Sequence, residues 1–258
     1  MLRLTLARAR LFYLCAVAVF LVLGVPLTAD TLTVGDNGGP GAANINPFGS
    51  SGAPAPGNYS ALATFQEIYS AAEFPGAITI TALSFAPASG VGGTDGSFVD
   101  TLSLALGTSA QPVASPSATY SDNRSSDFTT VFDGTVTENL AETDSFDLIF
   151  NLSTPFTYNP ANGDLLFEVT IITPVVYSGS YLYFDADFNS SVSEVFNTTQ
   201  SSTGNVFNGY GLFTQFTYMP ASTMLAAPEP APKMLTALGA TLVAFVLFRA
   251  GPLGRRKA

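Results

Sequence analysis

The sequence predicts an all-β fold: a single antiparallel β-sandwich, jelly-roll-like in its winding, set between two hydrophobic terminal segments. Two observations predict the body. Apolar residues recur at every second position in run after run, the period of a strand with one face buried. Short turn signals separate these runs, and no stretch between them keeps a helical period. A third observation predicts the ends: each terminus pairs an apolar run with arginines, whereas the middle of the chain is nearly free of bases.

At the N-terminus, Arg3, Arg8 and Arg10 accompany an apolar run over 11–24, and Ala29 places a small residue before Asp30. This is the form of a secretory signal peptide over residues 1–29, cut between Ala29 and Asp30. The lone Cys15 lies inside the apolar run, so the mature chain is left without thiols or disulfides. Residues 30–224 then hold enough material for one globular domain.

Within that domain, 35–58 is rich in Gly, Pro, Ala and Asn and reads as an extended arm or long loop. In "AITITALSF" the apolar phase runs Ile78, Ile80 and then Leu83, Phe85, a slip that predicts a bulge near Ala82. A flexible loop over 88–97 follows. Leu102, Leu104 and Leu106 form the next stripe. Phe146, Leu148, Phe150 and Leu152 form another, and so do Leu165, Phe167, Val169 and Ile171, with Leu166 and Glu168 facing away. "YLYFDADF" and "GLFTQFTY" add two late strands. Asp133-Gly134, Asn159-Pro160, Asn162-Gly163-Asp164 and Asn208-Gly209 are the expected turns. About nine or ten short strands punctuated in this way favour a sandwich over other all-β forms.

Composition excludes several functions. The chain has 258 residues, no His and no Trp, and a formal net charge of −10. Over 30–227 there are 18 acids and one base, Arg124. Such a body repels nucleic acid, which needs a basic patch. Without His there is no Ser-His-Asp triad and no His-ligated metal; without Cys in the mature chain there is no thiol nucleophile. No phosphate-cradling glycine motif precedes a helix. Only carboxylate chemistry remains, and no catalytic residue is assigned.

The sharpest constellation is Tyr181, Tyr183, Asp185 and Asp187, followed by Asn189. On a strand, Leu182, Phe184, Ala186 and Phe188 would point inward and the two tyrosines and two aspartates outward. Rings beside carboxylates suit a sugar: the ring stacks on its apolar face and the carboxylate accepts hydroxyl hydrogen bonds. Asp185, Asp187 and Asn189 can alternatively offer oxygens to Ca²⁺. A third reading is an exposed strand kept soluble by two acids. As acid and base of a glycosidase, the aspartates would lie roughly 6–7 Å apart at Cα. Such enzymes usually draw their carboxylates from different strands around a cleft, and nothing in the sequence supplies one.

At the C-terminus, 234–248 is 15 mostly apolar residues flanked by Lys233 and Arg249. A helical span needs roughly 20 residues, so this short transmembrane helix would rely on its basic flanks reaching the interface. Arg249, Arg255, Arg256 and Lys257 would sit on the cytoplasmic side, leaving the body outside. Just before the apolar run stand Pro228, Glu229 and Pro230. This order over 225–258, Pro-Glu-Pro then a short hydrophobic helix then arginines, resembles the PEP-CTERM sorting domain of Gram-negative bacteria. The resemblance implies processing near Pro-Glu-Pro by an exosortase, a membrane enzyme, and makes the tail an address and temporary anchor. The body is similar in style to the Ser/Thr/Phe-rich β-sandwiches that accompany such tails. The implied role is structural or adhesive, at the cell surface or in exopolysaccharide or biofilm. A carbohydrate- or Ca²⁺-binding module is the rival expectation, and a glycan-active hydrolase a more distant one.

Overall fold

The computed structural model describes residues 29–35, 43–51, 58–91, 93–141 and 144–221. Residues 1–28 of the expected signal peptide, the motif Pro228, Glu229 and Pro230, the apolar segment 234–248 and the basic residues Arg249, Arg255, Arg256 and Lys257 lie outside the described residues. Among the described residues no helix is long and apolar enough to cross a membrane.

The described body is all-β and antiparallel. Its strands are β1 (Asp30–Val34), β2 (Ala43–Asn44), β3 (Thr64–Tyr69), β4 (Ile78–Phe85), β5 (Gly96–Thr108), β6 (Thr129–Leu140) and β7 (Leu148–Tyr158). They continue as β8 (Leu165–Tyr177), β9 (Phe184–Asp187), β10 (Val192–Phe196), β11 (Asn205–Asn208), β12 (Gly211–Leu212) and β13 (Thr214–Pro220). A four-stranded sheet has the order β1-β13-β4-β7, a six-stranded sheet β11-β10-β3-β8-β5-β6, and a small sheet β12-β9-β2.

The two large sheets are wound in a nested way. β1 pairs with β13, β3 with β8, β4 with β7 and β5 with β6, so early strands find late ones in reverse order. A long antiparallel ribbon folded over on itself gives this nesting, and it sends alternate pairs to opposite sheets. The apolar stripes of both sheets then meet in one aromatic-rich core. Phe85 of β4 stacks on Phe167 of β8 with centroids 5.8 Å apart, and Tyr69 of β3 meets Phe216 of β13 edge-on at 5.0 Å. Offset and edge contacts of this kind add to the area the rings bury.

The alternating stripes are observed. Leu102, Leu104, Leu106, Leu148, Phe150, Leu165, Phe167, Val169 and Ile171 are all fully buried. The bulge is observed too: β13 pairs Thr217 with Ala82 and Tyr218 with Ile80, leaving Thr81 of β4 extra, and the Thr81 hydroxyl donates to the Thr217 carbonyl at 3.1 Å. Three expectations need correction. Asp133-Gly134 is not a turn but lies inside β6, opposite Ser103 and Leu102. An Asp-Gly pair reverses the chain only where its two flanks pair with each other; here both flanks pair with β5.

Leu166 and Glu168, expected to face away from the core, are buried as well. The excursion 109–128 lies against their side of β8. From it, Tyr120 donates to the Thr64 carbonyl at 2.8 Å and Asn123 Nδ2 to Gln66 Oε1 at 2.7 Å. Gln66 Nε2 in turn donates to Glu168 Oε2 at 2.7 Å, and Arg124 holds both Glu168 oxygens at 2.8 Å. Third, the described part of the supposed arm, 43–51, belongs to the core. Phe48 is fully buried among Phe85, Phe150 and Phe184, at centroid distances of 5.0, 5.2 and 5.9 Å, and Ser50 and Leu182 exchange backbone hydrogen bonds. A single large ring outweighs the flexible composition around it.

Candidate functional site

β9 is shorter than its sequence pattern, because it is held between two-residue strands and ends at Asp187. Leu182, Phe184 and Ala186 are buried and Tyr181 is exposed, as the alternation requires. Tyr183 is half-buried and its carbonyl accepts from the Ala88 N–H at 2.9 Å. The remaining assignments fail. Asp185 and Asp187 are buried, whereas Phe188, expected inside, is 64% exposed. The turn after Asp187 explains the reversal. Asn189 folds its carboxamide oxygen back to accept from the Ser191 N–H at 2.6 Å and from the Ser191 hydroxyl, while that hydroxyl also reaches Asp187 Oδ2 at 3.2 Å. The five residues therefore do not form one solvent-facing strip.

Phe188 instead joins an aromatic cluster that the period-two reading missed. Its ring lies 4.7 Å from that of Tyr210, Tyr210 lies 6.4 Å from Phe207, and Phe207 stacks on Phe196 at 5.4 Å. Phe207 is 46% exposed, and Tyr210 and Phe196 are half-buried. Two turns bring these rings together. Gly209, at φ +68°, reverses the chain after β11, and its N–H donates to Ser193 Oγ at 3.0 Å. The Tyr210 hydroxyl donates to the Ala43 carbonyl at 3.0 Å, which fixes its ring against the small sheet. Asn205 and Asn208 flank the strip as exposed amides. Edge strand β11 therefore presents rings bordered by hydrogen-bonding groups.

Beneath this strip lies a group of buried acids. Glu194 of β10 stands directly opposite Phe207 of β11 on one side and Glu67 of β3 on the other, so all three share a face. Both glutamates are fully buried. Glu67 Oε1 accepts from the Leu212 N–H at 2.9 Å, and Glu194 Oε2 from Asn44 Nδ2 at 2.6 Å. Gly211 permits the first contact: a Cβ there would lie 2.6 Å from Glu67 Oε1.

Burial pushes the Glu67 carboxyl well up, the Glu194 and Asp187 charges raise it further, and the hydrogen bonds from the Leu212 N–H and the Tyr69 hydroxyl oppose them. Burial likewise pushes Glu194 up to about 8, against the Asn44 and Asn46 hydrogen bonds. Burial and the Asp144 charge push Asp185 up to about 7, and burial does the same to Asp100 on β5, against the backbone hydrogen bond from Thr101. A signal for the glutamates was present in the sequence. In "TFQEIY" Glu67 shares its phase with Phe65 and Tyr69, and in "VSEVF" Glu194 shares its phase with Val192 and Phe196. An acid in phase with an apolar stripe is an acid placed on the core side.

Among the described residues no group of three or more Asp, Glu, Cys or His is arranged to hold a metal ion. The chain matches no protein-family model, and no curated protein matches it in sequence.

Proposed function

We propose that this chain is an exported, non-catalytic protein of the cell surface or extracellular matrix, with a structural or adhesive role among polysaccharides. The observation that carries the proposal is the strip of Phe188, Tyr210, Phe207 and Phe196, exposed at Phe188 and Phe207, with its flanking asparagines. Such rings can stack on the apolar faces of sugars while the amides hydrogen-bond hydroxyls. The nested strand pairing supports reading the body as a jelly roll, a winding that lectin domains also use. The acidic body with its single base argues for a neutral glycan over a polyanionic one. The small area of the strip suits weak contacts repeated over many molecules.

Affinity electrophoresis through gels cast with neutral polysaccharides tests this reading. Phe188→Ala and Phe207→Ala should each reduce retardation several-fold, and the pair together should abolish it. Because Phe188 is mostly exposed, its replacement should change stability by no more than about 0.5 kcal/mol. Retardation by the double variant equal to that of the parent would remove the strip as the glycan contact.

For the tail, we propose a sorting signal of the PEP-CTERM type, supported by the order of Pro228-Glu229-Pro230, the short apolar segment and the terminal arginines. Changing Pro228, Glu229 and Pro230 to alanine should leave membrane insertion intact and make full-length, membrane-bound protein accumulate. Immunoblotting of membrane and medium fractions reads this directly. Release as efficient as the parent's would show an ordinary anchor or an unrelated protease.

A further inference from the structure

Two carboxyl groups face each other inside this molecule, and among the described residues no cationic side chain stands beside them. Glu67 and Glu194 are direct cross-strand partners, and the β-carbons of such partners lie about 4.5–5.5 Å apart. Each has one oxygen held by a donor from the small sheet, Leu212 N–H for Glu67 and Asn44 Nδ2 for Glu194. The other oxygens, Glu67 Oε2 and Glu194 Oε1, are buried without a hydrogen bond of good geometry. The groups around the pair give no positive charge. From β9 comes Asp187, from β3 Tyr69, from the turn before β12 Tyr210, and from the segment before β3 Tyr59. The Tyr69 hydroxyl pairs with Thr214 Oγ1 at 3.0 Å and also approaches Glu67, Asn46 approaches Glu194 beside Asn44, and the Tyr210 hydroxyl donates to Ala43. Arg124, the single base among the described residues, is held by Glu168.

We propose that Glu67 and Glu194 hold one proton between them, and that losing it in alkaline solution loosens the join between the six-stranded sheet and the small sheet. With the proton present, one carboxyl can donate to the other and the two orphaned oxygens satisfy each other. Without it, two like charges stand side by side in a medium that solvates neither. The join is where the strain is felt, because Leu212 and Asn44 are the small sheet's holds on these carboxyls.

The sign follows from linkage. In the unfolded chain a glutamate releases its proton near pH 4.3, whereas in the folded chain Glu194 keeps it to about 8. Stability from the pair is therefore complete in acid and is lost as pH rises through that interval.

Urea denaturation of the exported protein at a series of pH values tests the proposal. The folding constant should fall between about pH 5 and about pH 8, by up to about tenfold per pH unit for each proton the folded chain retains. Asp100 and Asp185 contribute slopes of the same sign in every variant, so the difference between parent and variant isolates the pair. In Glu67→Gln the amide can donate to Glu194 Oε1 and its oxygen can still accept from Leu212. This variant should show a shallower fall and be more stable than the parent above pH 8. Glu194→Gln carries the same expectation if the first variant does not fold.

Parallel pH curves for parent and variants would overturn the proposal. So would the absence of a protonated-carboxyl infrared band from the unaltered protein at pH 6. If Ca²⁺ stabilises the parent at pH 8 relative to chelator, and Glu67→Gln abolishes that effect, the pair is a cation site and the shared proton is refuted.

Discussion

Replacing Phe85 with alanine should destabilise the protein by about 3–5 kcal/mol, the cost of emptying a large aromatic site in a core that cannot fully collapse. Phe85 ends β4 and is fully buried. Its ring touches Phe48 from 43–51, Phe150 from β7 and Phe167 from β8, at centroid distances of 5.0, 6.0 and 5.8 Å. One side chain thus joins both large sheets and the segment 43–51. Phe85→Leu keeps most of the volume and should cost less than about 1.5 kcal/mol. The urea midpoints of the two variants, compared at unchanged slope, measure this difference. Equal midpoints would mean that the sheets do not meet at this ring.

Arg124→Ala should cost about 2–3 kcal/mol. The full penalty for orphaning a buried charge is larger, about 3–5 kcal/mol, but the Arg124 side chain is 35% exposed and solvent screens part of the interaction. Glu168 is the deeper partner, at 6% exposure, and would keep only its bond from Gln66. Arg124→Lys should recover little, since one ammonium cannot reproduce the two parallel bonds at 2.8 Å or the guanidinium's position over Phe128, 5.1 Å from the ring centre. A double-mutant cycle with Glu168→Gln checks the assignment. If Arg124→Ala costs as much in the Glu168→Gln background as in the parent, the two residues are not coupled.

The large sheets were legible because their stripes are regular. Leu102, Leu104 and Leu106 or Leu165, Phe167, Val169 and Ile171 need no tertiary knowledge to be assigned a face, and even the Thr81 bulge left its mark as a broken phase. Nested pairing was not legible beyond its class, because partners such as Asp30 and Tyr218 lie far apart in sequence and nothing local announces the match. The candidate site failed for a related reason. Alternation was extended through Asp187 to Phe188, but a strand's phase ends where its pairing ends, and the Asn189–Ser191 turn begins there. Phe196, Phe207 and Tyr210 were invisible as a cluster because two turns, not one strand, assemble them. Asp185 and Asp187 were placed in solvent because acids are usually there; a small sheet covered on its faces overrode that tendency.

The position of β13 has a mechanical consequence. Its neighbours β1 and β4 hold it on both sides, from Val34↔Thr214 to Asp30↔Tyr218 and from Phe85↔Thr214 to Ile78↔Pro220. A pull applied beyond Pro220 and resisted at the aromatic strip runs along the strand, at right angles to its hydrogen bonds. Both ladders then share the load in shear, and they must yield nearly together. Pulling Asp30 away from Pro220 would open β1 from β13 one bond at a time, since those residues lie at the same end of adjacent strands. Under the proposed function, with the strip on a polymer and the tail as anchor, the body would be loaded along its strong direction, with its weak direction left idle.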